Sequence, residues 1–576
     1  MKYLFTEAVP QNIDGETSWV SSEKRYQPAD TKNDMQYGFL TEKNADENQR
    51  LSIPELNSGF GTVYWYRGSN ITNIQADAHG CYICSDHGRR EVELTQEEEE
   101  KIPLTFVTDV SQEGNYQVTV TVYASENIPE GFIFLGRRRL AYIGAFKEQE
   151  TVTRTFLTNI CPFIPRNHEE VMEDLTLDLT IVGAGLHLKE VEIVPATCKT
   201  IYIAGDSTVT DQSADYPYYP FHSYCGWGQM LSFFTDYYAS GTGYAVSNHS
   251  HSGLTTDSFR SEGHYQILYD RIQNGDICLI QFGHNDQKLK SLMADGGYRD
   301  NMIRYVQEIR SKGALPVIVT PLARNTWRGN DGTYNDLLEE YANVCKELGE
   351  QLEIPVADLH QKSRELVTDL GRQKVKAYYF PSDYTHSNDY GAFRFAGYVF
   401  EELAAKQVIR TDKPLRQENE QANRVLTWNP PEHFPEIRPP ENLADRKDPN
   451  AERLFENLER PDEFLTRVEA LELVITAMHF FPTNVYNDAF DDIIGHEVYA
   501  GTVECALQNG LLPDAMIDNR MFHPAQLITG KEFYAVVANG YAGRKGKKPE
   551  IHRDELIEKD KITRHAGAEI CKSLHI

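Results

Sequence analysis

Residues 200–212 read TIYIAGDSTVTDQ. Five residues of strand-forming character, Thr200 to Ala204, run without interruption into Gly205-Asp206-Ser207-Thr208. A short apolar run that stops at a glycine reads as a buried strand ending in a turn. Ser207 is thereby placed at the carboxyl end of a sheet strand, the edge at which open α/β sheets bind their ligands. A serine entering a helix there has backbone N–H groups aimed at its own oxygen. Taken alone, the same three residues also fit a turn with an N-capping serine.

Outward from this stretch, apolar strands alternate with helical patterns. DICLIQFG (276–283), LPVIVTP (315–321) and IPVADL (354–359) read as further strands. Between them, Met302, Ile303, Val306 and Ile309 share one helical face, with Gly313 as a stop signal. Leu337, Leu338, Tyr341 and Cys345 form a second such face. Strand and helix in alternation imply a parallel sheet covered on both sides. The chain has 576 residues, more than one compact core accommodates. Residues 1–197 carry short β-branched and aromatic runs separated by turns, the pattern of an antiparallel β-sandwich. Residues 198–408 form the central α/β unit. Residues 409–460 are rich in Pro, Asn, Glu and Arg and read as an extended linker. Residues 461–576 read as a small helical domain, with a charged and poorly ordered tail after Lys545.

Three further motifs fall at the same sheet edge. Ser252-Gly253-Leu254 follows an apolar segment, and Gly253 brings its backbone N–H close to a ligand. Gly283-His284-Asn285-Asp286 follows the next strand and offers the Asn285 side-chain amide. Asp383-Tyr384-Thr385-His386 lies near the end of the unit. An aspartate three residues before a histidine orients one ring nitrogen, leaving the other to take a proton from a serine hydroxyl.

These four blocks, in this order, resemble the SGNH (GDSL-type) hydrolase superfamily. Within it, IAGDSTVTDQ with GWGQML, SNHSHSGLTTDSFRSEG, GDICLIQFGHNDQ and YFPSDYTHSNDYGA are most similar to rhamnogalacturonan acetylesterases and related carbohydrate acetylesterases. The resemblance implies a three-layer, flavodoxin-like catalytic domain with Ser207 as nucleophile, His386 as general base and Asp383 as its orienting acid. It implies an oxyanion hole made of the backbone N–H groups of Ser207 and Gly253 and the Asn285 side chain. It implies no metal and no cofactor. The expected substrate is an acetylated plant cell-wall oligosaccharide, pectic in the first place by family likeness, with a neutral acetylated xylan or mannan fragment as the alternative that the net charge of −29 leaves open. An SGNH lipid esterase or thioesterase, and a carbohydrate-binding protein with an inactive catalytic domain, are the alternatives.

His284 and Trp327, with Arg260 and Arg324, fall in loops near the active edge and are candidate substrate contacts. For His284 a hydrogen-bonded structural role is the competing reading, and for Trp327 a surface cap. Asp206 is expected to tie down the loop. His79, Cys81, Cys84 and His87 are close enough to suggest a zinc site. A strand would splay them to opposite faces, so buried thiols beside surface histidines are the reading adopted.

The net charge of −29 argues against nucleic acid and anionic membrane surfaces as partners. No apolar run is long enough for a membrane span. The absence of a signal peptide at the start of this chain, with nine scattered cysteines, suggests a reducing, cytoplasmic location. The N-terminal sandwich resembles galactose-binding-like modules, which implies either carbohydrate binding or closure of one side of the cleft. LTRVEALELVITAM, FDDIIGHEVYAGTVECALQNGLL and FHPAQLITGKEFYAVV resemble an S-layer homology region, covering one repeat and the opening of another. Docking or homo-oligomer formation through it is the expectation.

Overall fold

The computed structural model describes residues 1–11, 13–26, 35–40, 65–66, 74–83, 101–165, 169–215, 218–241, 243–328, 333–381, 383–415, 425–432, 460–480, 490, 492–493, 499–551 and 553–574. Among them, no helix is long and apolar enough to cross a membrane.

The centre is a five-stranded sheet, all parallel, in the order Tyr244–Asn248, Lys199–Gly205, Ile277–Gln281, Leu315–Val319, Val356–Ala357. Both faces are buried, and the period-two alternation of a strand divides the apolar residues between them. Ile201, Ile203, Leu279, Val317 and Val319 pack toward helices Leu231–Tyr238 and Asp389–Ala405 through Phe233, Phe234, Phe393 and Phe400. Tyr202, Ala204, Cys278, Ile280 and Ile318 pack toward helices His264–Arg271, Arg299–Ser311 and Glu339–Leu352. On helix Arg299–Ser311 the buried face is Met302, Tyr305, Val306 and Ile309, while Ile303 is only half-buried. Tyr305 joins that face with its hydroxyl donating to the Thr256 carbonyl at 2.7 Å, so its polar atom is satisfied in the core.

The N-terminal region holds two further sheets. One has the path Thr151–Ile160, Gly114–Ala124, Leu186–Pro195, Lys2–Phe5, Thr17–Val20, with Ile74–Asp77 and Gly80–Ile83 attached. The other runs Arg139–Phe146, Ile128–Leu135, Thr176–Val182, Pro103–Asp109, Tyr37–Phe39. Val118, Val120, Val191 and Ile193 of the first share one core with Leu104, Phe106, Ile133, Leu135 and Leu179 of the second. The second sheet is covered on its other face as well. Phe132, Phe134, Leu140 and Val182 enter the same cluster as Trp227, Met230 and Tyr218 of the α/β unit. That is why the run Phe132-Ile133-Phe134-Leu135 shows no polar alternation.

Part of the segment expected to be a linker contributes to this seam. Val425 and Trp428 are buried, and the Trp428 ring lies 5.4 Å from Phe132 and 4.5 Å from Tyr390. Its indole N–H donates to Glu130 at 2.8 Å, and the Val425 N–H donates to Glu401 at 3.0 Å. Residues 425–428 thus strap the two units together.

Near the C-terminus, helices Arg467–Ala477, Gly530–Lys545 and Arg564–Lys572 each follow a threonine. The side chains of Thr466, Thr529 and Thr563 each accept from the backbone N–H three residues on. Glu469 and Glu532 complete capping boxes on the first two. A buried pair, Arg467 with Glu532 at 2.5 Å, ties two of these helices. The tail after Lys545 is not disordered along its described length. Leu556, Ile562, Cys571 and Leu574 anchor it in the same core, which the charged residues between them obscured in the sequence. His79 and Cys81 are described, while Cys84 and His87 lie outside the described residues. Among the described residues no cluster suited to a metal ion is present.

Thr529→Ala is expected to cost about 1 kcal/mol of stability, the usual value of a lost threonine cap. Calorimetry should show the lowered transition; a midpoint equal to wild type would refute the cap's contribution.

Candidate active site

Strand Lys199–Gly205 delivers Ser207 two residues past its end. The turn is set by Asp206, whose carboxylate is fully buried. Its Oδ1 accepts from the Thr208 backbone N–H at 2.9 Å and the Thr208 hydroxyl at 2.7 Å, and Oδ2 lies 3.0 Å from His284 Nδ1. Burial alone would raise the Asp206 pKa. The neighbouring His284 and the Thr208 donors outweigh it and hold the carboxyl below its usual range.

Behind the turn, a Cβ at Gly226 would collide with the backbone of Val209 and Thr210. A Cβ at Gly228 would stand 2.6 Å from the Val209 carbonyl. Glycine is required at both places by close backbone approach. Between them, the Trp227 indole N–H donates to Gln281 Oε1 at 2.8 Å, and Gln281 Nε2 donates to the Thr208 hydroxyl at 2.8 Å.

Ser207 Oγ lies 2.8 Å from His386 Nε2, and His386 Nδ1 lies 2.8 Å from Asp383 Oδ2. A carboxylate facing Nδ1 fixes the proton there, so Nε2 is free to accept from the serine hydroxyl. Asp383 Oδ1 accepts from the backbone N–H groups of Thr385 and His386 at 2.8 and 2.9 Å. Burial works against charge on Asp383. His386 and these donors overcome it and keep the carboxyl below its ordinary value. The three residues come together from segments nearly 180 positions apart. Tyr224 walls the pair, its ring stacked 3.6 Å from Phe380 and edge-on to His386 at 5.9 Å.

Gly253 is exposed and adopts φ +84°, with open space where a Cβ would stand. Its role is therefore one of backbone direction. The Asn285 amide donates to the Leu254 carbonyl at 3.0 Å and its Oδ1 accepts from Lys288 Nζ at 2.9 Å, which fixes the orientation of the amide. Asp286 joins the two loops by accepting from Thr256 N–H (2.9 Å), Thr256 Oγ1 (2.6 Å) and Gly283 N–H (3.1 Å). Burial pushes its carboxyl up to about 6.

The candidate substrate contacts each have partners within the protein, and for His284 these fit the hydrogen-bonded structural reading. His284 is buried, bridging Asp206 and the Leu322 carbonyl, 2.9 Å from Nε2. Arg324 is buried and donates to the His284 carbonyl at 3.1 Å. Trp327 is buried, its indole donating to Asn325 at 2.6 Å and its ring edge-on to Tyr334. Arg260 pairs with Glu308 at 2.8 Å, with its guanidinium over the Tyr265 and Tyr305 rings. All four are thus bonded or packed within the protein, three of them buried. Side chains to which the sequence assigned no role also shape the site: Tyr224, Trp227 and Gln281 as described, and Gln229, whose amide donates to the Arg137 and Gln212 carbonyls at 2.9 Å each.

Residues 203–392 match the model of the GDSL-like lipase/acylhydrolase family. Over 216 residues the chain is 33% identical to the rhamnogalacturonan acetylesterase RhgT of Bacillus subtilis, which covers 35% of this chain and 88% of that protein. The chain belongs to the GDSL-like lipase/acylhydrolase family. It is a serine esterase. A rhamnogalacturonan acetylesterase of Emericella nidulans is 26% identical over 231 residues, 36% of this chain and 85% of that protein. The crystal structure of protein YxiM from Bacillus subtilis, 21% identical, spans 71% of this chain and 98% of its own, with a TM-score of 0.35.

A carboxylate held low in the folded GDSL-like domain adds stability that is fully present above its unfolded value of about 3.9. That stability is lost as pH falls through the folded value. Asp206→Asn should therefore be less stable than wild type at pH 7, with the gap narrowing as pH drops below about 4. Urea midpoints across this range check it; a constant gap would show that the Asp206 charge contributes nothing.

Proposed function

We propose that this esterase removes acetyl groups from acetylated plant cell-wall oligosaccharides through an acetyl-serine intermediate, with pectic, rhamnogalacturonan-type chains as the favoured substrate. The observation that carries this reading is the Ser207–His386–Asp383 relay, with 2.8 Å at both links. In the first half-reaction Ser207 Oγ attacks the ester carbonyl as its proton passes to His386 Nε2. Asp383 holds the ring and stabilises the imidazolium. The Ser207 and Gly253 backbone N–H groups and the second amide hydrogen of Asn285 receive the oxyanion. His386 then returns the proton to the sugar hydroxyl as it leaves. In the second half-reaction water, activated by His386, frees acetate from Ser207.

Two relatives named as rhamnogalacturonan acetylesterases support the carbohydrate assignment. Lys288, exposed and bonded to Asn285, supplies local positive charge that favours a galacturonate-bearing chain despite the acidic background. The eight described cysteines are free thiols, which supports the cytoplasmic reading, with imported oligosaccharides as substrate.

In this reading the chain divides as 1–197, 198–408, 409–460 and 461–576. The N-terminal unit is a galactose-binding-like β-sandwich that closes one side of the cleft. The C-terminal unit is an S-layer-homology-like docking region, a reading that the recurrence of threonine-capped helices supports.

Ser207→Ala should abolish acetate release from acetylated pectic oligosaccharides, and Asp383→Asn should lower kcat by about 10⁴. Asn285→Ala should lower it by about 10²–10³. Activity surviving Ser207→Ala would overturn the relay, and faster hydrolysis of octanoyl than acetyl p-nitrophenyl esters would point to a lipid esterase. Truncation at Asn442 should reduce oligomer size by light scattering; an unchanged oligomeric state and activity would remove the docking role.

A further inference from the structure

Strands Ile128–Leu135 and Arg139–Phe146 are joined by Gly136-Arg137-Arg138, so Arg137, Arg138 and Arg139 follow one another at the hairpin end. Three consecutive arginines at a hairpin tip would ordinarily be solvated. Here all three are buried. Arg137 and Arg139 both reach Asp211 Oδ2, at 3.2 and 2.9 Å, and donate to the carbonyls of Asn248 and Val246. Arg138 stands between them in the left-handed region, φ +53°, with no exposed side-chain surface.

The Arg138 guanidinium grips three separate segments of the candidate site. Its Nε donates to the Gln212 carbonyl at 3.1 Å, Nη1 to Asp389 Oδ2 at 2.6 Å, and Nη2 to the Tyr224 carbonyl at 2.6 Å. Gln212 closes the nucleophile loop, its side-chain amide donating to the Ser207 carbonyl at 3.2 Å. Asp389 lies three residues past His386 and opens helix Asp389–Ala405. The Tyr218 hydroxyl donates to the same Asp389 oxygen. Tyr224 is the aromatic wall of His386. One rigid, planar fork therefore links the segment of the nucleophile, the segment of the base and the ring beside them.

Adhesion between the two units does not account for this arrangement. Phe132, Phe134 and Leu140 already provide an apolar seam. A buried ion pair is commonly no more stabilising than well-packed apolar residues of the same volume. What it adds is direction. Arg138 also lies outside residues 203–392, the stretch that carries the family match.

We propose that Arg138 is a positioning residue for the Ser207–His386 pair, supplied to the hydrolase by its N-terminal unit. This rests on the Ser207–His386–Asp383 relay proposed above. The full-length chain is compared with Arg138→Met, Arg138→Lys, Arg138→Met/Asp389→Asn and Ser207→Ala, well below each unfolding midpoint. The readouts are kcat and KM on p-nitrophenyl acetate and the rate of Ser207 labelling by a fluorophosphonate. Arg138→Met should lower kcat and labelling by about 10²-fold, the usual effect of an ångström-scale misplacement, with KM changed by less than about threefold. The double variant removes the stranded buried carboxylate, so it should regain thermal stability without regaining kcat. Arg138→Lys keeps a charge opposite Asp389 and decides the matter if Arg138→Met does not fold. An ammonium does not reproduce the planar fork across three segments, so kcat should stay low. Wild-type kcat in Arg138→Lys, or recovery of kcat along with stability in the double variant, would overturn the proposal. Hydrolysis that persists in Ser207→Ala would instead overturn the relay itself, so the two failures are separable.

Discussion

The structure depends on one strand that packs into two cores at once. Strand Ile128–Leu135 sends Ile133 and Leu135 into the core of the N-terminal unit and Phe132 and Phe134 into the core of the α/β unit. Since residues 131–135 are buried and feed both cores, neither core is complete without the other. The joint is then more than contact between finished domains. It fixes the distance and angle at which the tip of that hairpin meets the loops after Ser207 and His386, and the polar contacts at the tip inherit their precision from apolar packing behind them.

The loops of the candidate site follow a related logic. Asp206, Asp286 and Asp389 each sit buried at the start of a loop or helix, satisfied by hydroxyl, backbone N–H or guanidinium donors. Each converts a short, irregular segment into a defined one. The relay residues Ser207 and His386 remain only half-buried above this buried scaffold. Rigid support below and access above are what an ester-cleaving serine needs, since its partners must be placed before substrate arrives.

Much of this was legible in the sequence, for a physical reason. The strand ending at Gly205 and the Asp383–His386 spacing are local signals, and local signals survive without knowledge of the fold. Arg138 is the opposite case. Its partners Gln212 and Asp389 are 74 and 251 residues away. Nothing near Arg138 distinguishes it from a solvated turn except the unbroken apolar run Phe132–Leu135, whose burial on both faces only the structure shows. The surroundings of Trp327, Arg324, His284 and Arg260 were less legible for a related reason. Proximity of a loop to the active edge says where its backbone runs and leaves open whether a side chain faces substrate or the support beneath it.

The arginine tip also bears on how the molecule meets its surroundings. Its guanidiniums are enclosed, so dissolved ions have little access to the charges that align the two units, and mobile counterions screen buried pairs far less than exposed ones. The exterior is strongly acidic and will respond to ionic strength in its encounters with charged chains. The joint behind it will not. The protein thus separates two electrostatic regimes, one tuned by the medium and one sealed against it.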